Sequence, residues 1–263
     1  MIGVIGAGAM GEVFVAGLLR AGTEPGRLVI SEKRTERADE VSRIHGVRSV
    51  SMAEAARECA TLLLLVKPQD VPGALAEMAG HLADGAVVIS LAAGVRIAAL
   101  ESALPRAAIV RAMPNTPALV DLGITAISPG SSCRPDQADY VETLLSAVGP
   151  VVRVPEDLQD AVTATSGSGP AYVFRMIEAM IAGSIALGVP ADTARRLVLQ
   201  TVLGAATMAA RPGADAGALR EQVTSPGGTT AAALAVFDEA DLMGLVADAM
   251  RAARDRGREL GRE

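Results

Sequence analysis

Short apolar runs and amphipathic runs follow each other along the first 155 residues of the chain. The apolar runs have the length of strands and lie at residues 2–5, 27–30, 47–50, 61–66, 86–90, 108–111, 123–128 and 151–154. The amphipathic runs predict helices at residues 12–20, 35–44, 52–58, 71–82 and 135–147. The run at 61–66 is continuously apolar after Thr61, which is typical of a parallel strand covered on both faces. This alternation predicts an α/β fold with a doubly wound, mostly parallel sheet.

The pattern changes at residue 156, and no later run is typical of a strand. Two long segments, 171–187 and 193–210, are apolar on nearly all sides and predict helices. A helix that is apolar all round must be buried all round, and a domain of about 110 residues has too little interior for two of them. We therefore predict two domains, residues 1–155 and 156–263, with an all-helical second domain that forms a subunit interface.

The amino-acid composition and the net charge limit which core, binding partners and cellular compartment we expect. Aromatic residues make up only 2% of the 263 residues, so aliphatic side chains and methionine must form the core. The net charge of −6 argues against nucleic acid and against an anionic membrane surface. No signal peptide is visible, and the run at 61–66 is far too short to span a bilayer. Cys59 and Cys133 lack a metal or redox spacing, so we expect reduced thiols, a cytoplasmic protein and no metal site.

A glycine-rich turn connects the first strand to the first helix. Its sequence is G-x-G-x-x-G, formed by Gly6, Ala7, Gly8, Ala9, Met10 and Gly11. In this context the first glycine permits a tight turn, the second lets a pyrophosphate approach the backbone, and the third lets the helix lie close to the sheet. The N–H groups at the start of the helix then face the phosphates. The turn predicts a dinucleotide-binding site.

The end of the second strand carries residues that bear on the choice of dinucleotide. An acidic residue there binds the ribose 2′-hydroxyl of NAD, whereas basic residues and hydroxyls accept the 2′-phosphate of NADP. Glu32 favours NAD, and Ser31, Lys33 and Arg34 favour NADP. We expect NADPH, with NADH as the open alternative.

Three more segments follow predicted strands, at the edge where ligands bind in doubly wound sheets. The first contains Val66, Lys67 and Pro68, and the proline stiffens the turn. The second contains Ala92, Ala93 and Gly94, whose small size leaves room for a flat ring. The third is a rigid loop in which Asn115 lies between two prolines. All three are candidate cofactor contacts.

A second glycine-rich turn, at residues 225–230, precedes an alanine-rich helix. Backbone N–H groups of Gly227, Gly228 and Thr229 can point at a carboxylate, and the helix dipole adds to the attraction. The hydroxyls of Ser225, Thr229 and Thr230 supply neutral donors. The alternative is an ordinary helix cap, since serine and threonine are good capping residues. The residues alone leave both interpretations open.

Taken in order, these motifs resemble the pyrroline-5-carboxylate reductases along nearly the whole chain. The matching pieces are residues 6–11, 66–68, 91–94, 111–115, 160–163, 166–172 and 223–230. The Ser-Pro-Gly-Gly-Thr-Thr sequence at 225–230 is much more specific than the first glycine-rich turn. The resemblance implies a Rossmann domain followed by an all-helical dimerisation domain. It also implies reduction of 1-pyrroline-5-carboxylate to L-proline with NAD(P)H, in a homodimer or a ring of dimers with the active site near the subunit interface.

The resemblance also implies roles for individual residues. By motif position, Thr230 would face the substrate nitrogen. The substrate carboxylate would bind the turn formed by Ser225, Gly227, Gly228 and Thr229. The nicotinamide would be lined by Lys67, Pro68, Ala93, Gly94 and Asn115. Glu156 precedes the helices of the second domain and could approach the substrate.

Two other functions are compatible with part of this pattern. A β-hydroxyacid dehydrogenase also joins a Rossmann domain to a helical one, but it would use a helix-borne lysine, and Lys33 and Lys67 are the only lysines of the chain. A non-catalytic NAD(P)-binding regulator would bind the cofactor without turnover. His45 and His81 lie on polar helix ends, so we expect them to be surface residues and not bases.

Overall fold

The structure, a computed structural model, describes residues 1–261 apart from the side chain of Leu260. The last two residues of the predicted second domain, 262 and 263, lie outside this range. The chain forms two compact units. The first contains Met1–Ser168 together with the chain from Ala252 onward, and the second contains Gly169–Arg251. The predicted domain boundary between residues 155 and 156 stays a prediction, and residues 156–168 cluster with the first unit.

The first unit is built on one sheet, to which eight strands contribute among the described residues. The order across the sheet is β3-β2-β1-β4-β5-β6-β7-β8, and all neighbours are parallel except β6 and β7. The strands are β1 (Ile2–Ile5), β2 (Leu28–Ser31), β3 (Arg48–Ser49), β4 (Thr61–Leu64), β5 (Val87–Ser90), β6 (Ala108–Met113), β7 (Thr125–Pro129) and β8 (Val151–Arg153). Every predicted strand is present, with ends shifted by a few residues.

Helices cover both faces of this sheet. They are α1 (Ala9–Arg20), α2 (Thr35–His45), α3 (Met52–Glu58), α4 (Val71–Ala79), α5 (Ile97–Ala103) and α6 (Pro135–Leu145). Phe14 of α1 and Val141 of α6 pack with Leu63 on one face. Met78 of α4 and Leu100 of α5 pack with the other face. The predicted doubly wound α/β fold is therefore confirmed, and burial of each large aliphatic side chain stabilises it by about 1.5–3 kcal/mol.

The pattern did not predict α5. This helix has seven residues, of which Ile97 and Leu100 are buried. Two large apolar residues, three positions apart, are too few for a periodic signal.

A short helical stretch follows β8 along the chain, still within the first unit. It consists of α7 (Gln159–Val162) and a π-helical turn at Thr163–Gly167. The remaining helices are α8 (Gly169–Ala186), α9 (Ala191–Ala209), α10 (Ala216–Gln222), α11 (Thr229–Glu239) and α12 (Leu242–Leu260). No strand follows β8 in the described chain, which confirms the predicted helical character of this region.

The second unit has almost no interior of its own. Only Ala194 and Val198, both in α9, are buried apolar residues there. Large apolar side chains are exposed along its helices: Val173, Phe174, Met176, Met180, Ile185, Leu197, Leu199, Leu203, Met208, Val236, Phe237, Met243, Leu245 and Val246. An exposed apolar surface of this extent marks an interaction site. Within residues 1–261, no helix is both long and apolar enough to cross a membrane.

Candidate active site

The glycine-rich turn joins β1 to α1 with the geometry that the fingerprint requires. Gly6 has a φ of +95°, and a Cβ atom there would lie 2.8 Å from the carbonyl oxygen of Leu65. A Cβ atom on Gly11 would collide with the carbonyl oxygen of Gly6. By contrast, no heavy atom lies within 4 Å of the Cβ position of Gly8, so the backbone there faces open space. The turn thus offers an open cradle, which fits a dinucleotide pyrophosphate.

Gly8 is also the N-cap of α1, and no side chain caps the helix there. Ala9 and Met10 are the first two residues of α1, whereas Ala7 is fully buried and packs in the core. The first N–H groups of the helix are therefore not used by a side-chain cap, and they can serve an anion.

The end of β2 lies beside this turn. Glu32 is largely covered, with 9% of its side chain exposed, and its Oε2 accepts a hydrogen bond from the N–H of Ala7 at 3.0 Å. Its Oε1 accepts from the backbone N–H and the Nε–H of Arg34, at 3.2 and 3.0 Å. Lys33 is exposed and lies 3.5 Å from Asp70. Ser31 ends the strand, and its carbonyl accepts from the N–H of Gly6.

Burial raises the pKa of Glu32, but the hydrogen bonds from Arg34 and Ala7 outweigh that effect and leave this pKa below its usual range. A carboxylate is therefore present at the position that reads the adenosine ribose in dinucleotide-binding folds. It is accompanied by two exposed cations, Lys33 and Arg34.

The other predicted cofactor residues follow β4, β5 and β6, which lie side by side and parallel next to β1. Their segments therefore share the sheet edge with the glycine-rich turn. Val66 is half-buried there and Lys67 and Pro68 are exposed. Ala93 is exposed and Gly94 adopts a φ of +78°.

Two residues of this group, Ala92 and Asn115, contact the rest of the first unit. Ala92 is buried in the core. Asn115 is half-buried, and its Oδ1 accepts from the N–H of Ile124 at 2.9 Å, which fixes the side chain.

Glu156 also belongs to the first unit. Its Oε1 accepts from the N–H of Ile97 at 2.6 Å and from Nη1 of Arg111 at 3.3 Å. The other guanidinium nitrogen of Arg111 lies 3.6 Å from Asp160. Sequence reasoning did not select Arg111 or Asp160 as individual residues. The available signal was a charged residue inside the otherwise apolar strand β6.

The turn at 225–230 belongs to the second unit. Gly227 has a φ of +70°, and the N–H of Gly228 donates to the carbonyl oxygen of Ser225 at 3.0 Å. A Cβ atom on Gly228 would collide with Oγ of Ser225. Gly228 is the N-cap of α11, and no side chain caps the helix. Thr229 and Thr230 are its first and second residues, so Thr230 is not the capping residue.

The prediction that His45 is a surface residue was wrong. Its side chain is only 14% exposed, and Nε2 lies 3.0 Å from Oε1 of Glu12 in α1. In the described part of the chain, no group of three or more histidine, cysteine, aspartate and glutamate side chains could hold a metal ion.

Known proteins resemble this chain over its whole length. Residues 156–260 match the family described as pyrroline-5-carboxylate reductase dimerisation, and residues 1–94 match the family described as NADP oxidoreductase, coenzyme F420-dependent. The chain is 43% identical to a pyrroline-5-carboxylate reductase from Synechocystis, over 100% of this chain and 98% of the relative.

Solved structures of the same family also resemble this chain. A pyrroline-5-carboxylate reductase from Coxiella burnetii aligns with a TM-score of 0.94 at 37% identity, over 98% of this chain and 97% of the other. A pyrroline carboxylate reductase from Plasmodium falciparum, solved with NADP bound, aligns with a TM-score of 0.86 at 28% identity, over 99% and 97% of the two chains. On this evidence, the chain belongs to the pyrroline-5-carboxylate reductase family and carries its dimerisation domain.

Proposed function

We propose that this chain reduces 1-pyrroline-5-carboxylate to L-proline by hydride transfer from NAD(P)H, the last step of proline biosynthesis. The observation that carries the proposal is its 43% identity with a named pyrroline-5-carboxylate reductase over its full length. The open cradle at Gly8 supports the same conclusion, because a reductase of this kind must bind a dinucleotide at the sheet edge.

The cofactor that we propose is NADPH, with NADH as the alternative. The pyrophosphate would bind at residues 6–11, and Lys33, Arg34 and Ser31 would read the adenosine ribose. The nicotinamide would be lined by residues that follow β4, β5 and β6: Lys67, Pro68, Ala93, Gly94 and Asn115. Val66 and the backbone of Ala92 would be further cofactor contacts. When bound, the dihydronicotinamide supplies the hydride. The chain itself would hold the hydride donor and the imine acceptor at a fixed distance, which removes much of the entropic barrier to the transfer.

The substrate would bind at the turn before α11. The N–H of Gly228 is engaged with Ser225, so we assign the carboxylate to the uncapped N–H groups at the start of the helix, with Ser225 and Gly227 shaping the turn. The Thr230 hydroxyl would hold the ring nitrogen as donor or acceptor. A protonated imine is already a good hydride acceptor, so no strongly acidic side chain is needed.

We further propose a homodimer or a ring of dimers, located in the cytoplasm, with the active site near the subunit interface. The exposed apolar helices of the second unit support an oligomer, because a second copy would cover them. We propose no nucleic-acid partner and no membrane partner.

The test is steady-state kinetics on the purified protein with 1-pyrroline-5-carboxylate and each reduced cofactor. We expect loss of NAD(P)H absorbance with formation of one equivalent of proline, measured by mass spectrometry. Cofactor binding without turnover would instead support a regulator. NAD(P)-dependent oxidation of β-hydroxyacids without imine reduction would support the dehydrogenase alternative.

A further inference from the structure

Helix α5 begins at Ile97, three residues after Gly94, and it lacks a cap of its own. Its N-cap residue, Arg96, forms no capping hydrogen bond with its side chain. The N–H of Ile97 donates to Glu156, whose Oε1 lies 2.6 Å away, although Glu156 is 59 positions further along the chain. A carboxylate at a helix start satisfies a free N–H group and interacts favourably with the helix dipole. Glu156 therefore acts as the tertiary cap of α5.

A buried arginine fixes the position of Glu156. Arg111 lies in β6 with only 5% of its surface exposed, and its two terminal nitrogens face Glu156 and Asp160. Its neighbours across the sheet are Ser90 in β5 and Ser128 in β7, both buried. Oγ of Ser90 has no hydrogen-bond partner among the described residues. The guanidinium is thus held by two carboxylates. Its loss would leave Glu156 without a cationic partner among the described residues, whereas Asp160 would keep Arg258, 3.9 Å away.

The same carboxylate oxygen of Glu156 therefore contacts two residues, Ile97 and Arg111, that flank two segments of the sheet edge. One is the turn at 92–94, which leads directly into α5. The other is the loop containing Asn115, which follows the end of β6 at Met113, two residues after Arg111. Both segments are the ones that we propose to line the nicotinamide. An oxygen that contacts Ile97 and Arg111 together restricts how far the two segments can move apart.

We infer that Glu156, held by Arg111, is a positioning residue for the nicotinamide segments and not a substrate contact. The inference rests on the proposed function, because it assumes that these segments bind the cofactor. It replaces the expectation that Glu156 approaches the substrate.

The test compares Glu156→Ala and Glu156→Gln with the wild-type protein. The alanine variant loses both contacts, whereas the glutamine oxygen can still accept from Ile97 but lacks the charge that holds Arg111. Glu101→Gln is the matched control. Glu101 lies in α5, the helix that Glu156 caps, and its carboxylate accepts hydrogen bonds from the N–H and the hydroxyl of Ser131 instead. If Glu156→Ala does not fold, Arg111→Lys tests the same pair.

Hydrogen exchange gives a readout without cofactor or substrate. We expect the amides around residues 94–98 to exchange faster in Glu156→Ala, to a smaller degree in Glu156→Gln, and at the wild-type rate in Glu101→Gln. In kinetics, KM and Kd for NADPH should rise by about 10-fold or more in Glu156→Ala, since small displacements of binding segments are costly. KM for 1-pyrroline-5-carboxylate should stay within about twofold.

Two results would overturn the inference. A rise in KM for the imine with unchanged exchange and unchanged NADPH affinity would make Glu156 a substrate contact. A lower melting temperature with both KM values unchanged would leave it a purely structural residue. If the wild-type protein shows no turnover, the proposed function fails, but the exchange and NADPH-binding measurements still decide the role of Glu156.

Discussion

The carboxylate of Glu32 accepts a hydrogen bond from the backbone N–H of Ala7, over a distance of 3.0 Å. This contact joins the end of β2 to the glycine-rich turn. The second carboxylate oxygen is held by Arg34, and the net effect on the pKa of Glu32 is downward despite its burial. The carboxylate is therefore ionised at neutral pH and bridges the glycine-rich turn and Arg34.

The first prediction concerns these two cations. The double variant Lys33→Ala and Arg34→Ala should raise KM for NADPH about 10- to 150-fold, since a hydrogen bond to a charged group contributes about 1.5–3 kcal/mol. KM for NADH should change far less, because NADH lacks the 2′-phosphate. Arg43→Ala, which removes an exposed arginine elsewhere on α2, is the control. Equal effects on both cofactors would show that the pair does not read the phosphate.

The second prediction concerns Glu32 itself. Glu32→Gln keeps an acceptor for the N–H of Ala7 but removes the negative charge. We expect the ratio of kcat/KM for NADPH to that for NADH to increase, because repulsion of the 2′-phosphate is lost. Steady-state kinetics at low ionic strength gives the clearest measurement, since salt screens such interactions. A ratio that stays constant or falls would mean that Glu32 does not face the phosphate.

The third prediction tests Thr230. Loss of one hydrogen bond to a polar or charged ligand group costs about 1.5–3 kcal/mol, so Thr230→Ala should lower kcat/KM roughly 10- to 150-fold. Thr230→Ser should retain most of the activity, because the hydroxyl remains. Cofactor affinity, measured by titration, should hardly change in either variant. A variant that is only less stable, with kcat/KM within about twofold at a temperature where it is folded, would remove Thr230 from the site.

The fourth prediction concerns assembly. Phe174 of α8 is 60% exposed, and Phe174→Glu should give aggregation or an unfolded monomer, because a charge would be placed in the expected interface. Ile44→Glu is the matched control, since Ile44 is 51% exposed in the first unit. Light scattering after size exclusion gives the oligomeric state. An active, soluble monomer of Phe174→Glu at micromolar concentration would contradict the proposed interface.

The fifth prediction uses the contact between α1 and α2. The hydrogen bond from His45 lowers the pKa of Glu12 most strongly, burial opposes this, and Arg37 lowers it further. The folded-state pKa therefore lies below the ordinary value of 4.5. Such a carboxylate stabilises the protein above its unfolded-state pKa, and this contribution is lost as the pH falls through the folded-state value.

Glu12→Gln should accordingly lower the free energy of unfolding by about 1 kcal/mol at pH 7, as measured by urea titration. The difference from wild type should shrink below roughly pH 4.5 and disappear in stronger acid. Glu36→Gln, at an exposed position of α2, should have little effect at any pH. A difference that does not depend on pH would show that the charge of Glu12 contributes nothing.

The sequence by itself determined the parts of this protein that depend on local pattern. Strand-length apolar runs predicted the sheet, and the run at 61–66 predicted a strand with both faces covered, as β4 is. The spacing of Gly6, Gly8 and Gly11 predicted the turn, because Gly6 and Gly11 leave no room for a side chain and Gly8 leaves the backbone open to a ligand. Helices that are apolar all round predicted a region without enough interior of its own. The period of the apolar residues and the spacing of the glycines carry this information directly.

Only the tertiary structure decided which groups meet across long stretches of chain. Glu156 caps a helix that begins 59 residues earlier, and no local pattern encodes that contact. The covered position of His45 depends on Glu12, 33 residues away on another helix. Gly228, and not a threonine, is the N-cap of α11 because the helix begins one residue before Thr230. Hydrogen bonds act over about 3 Å, so their partners follow from how elements pack and not from the order of residues along the chain.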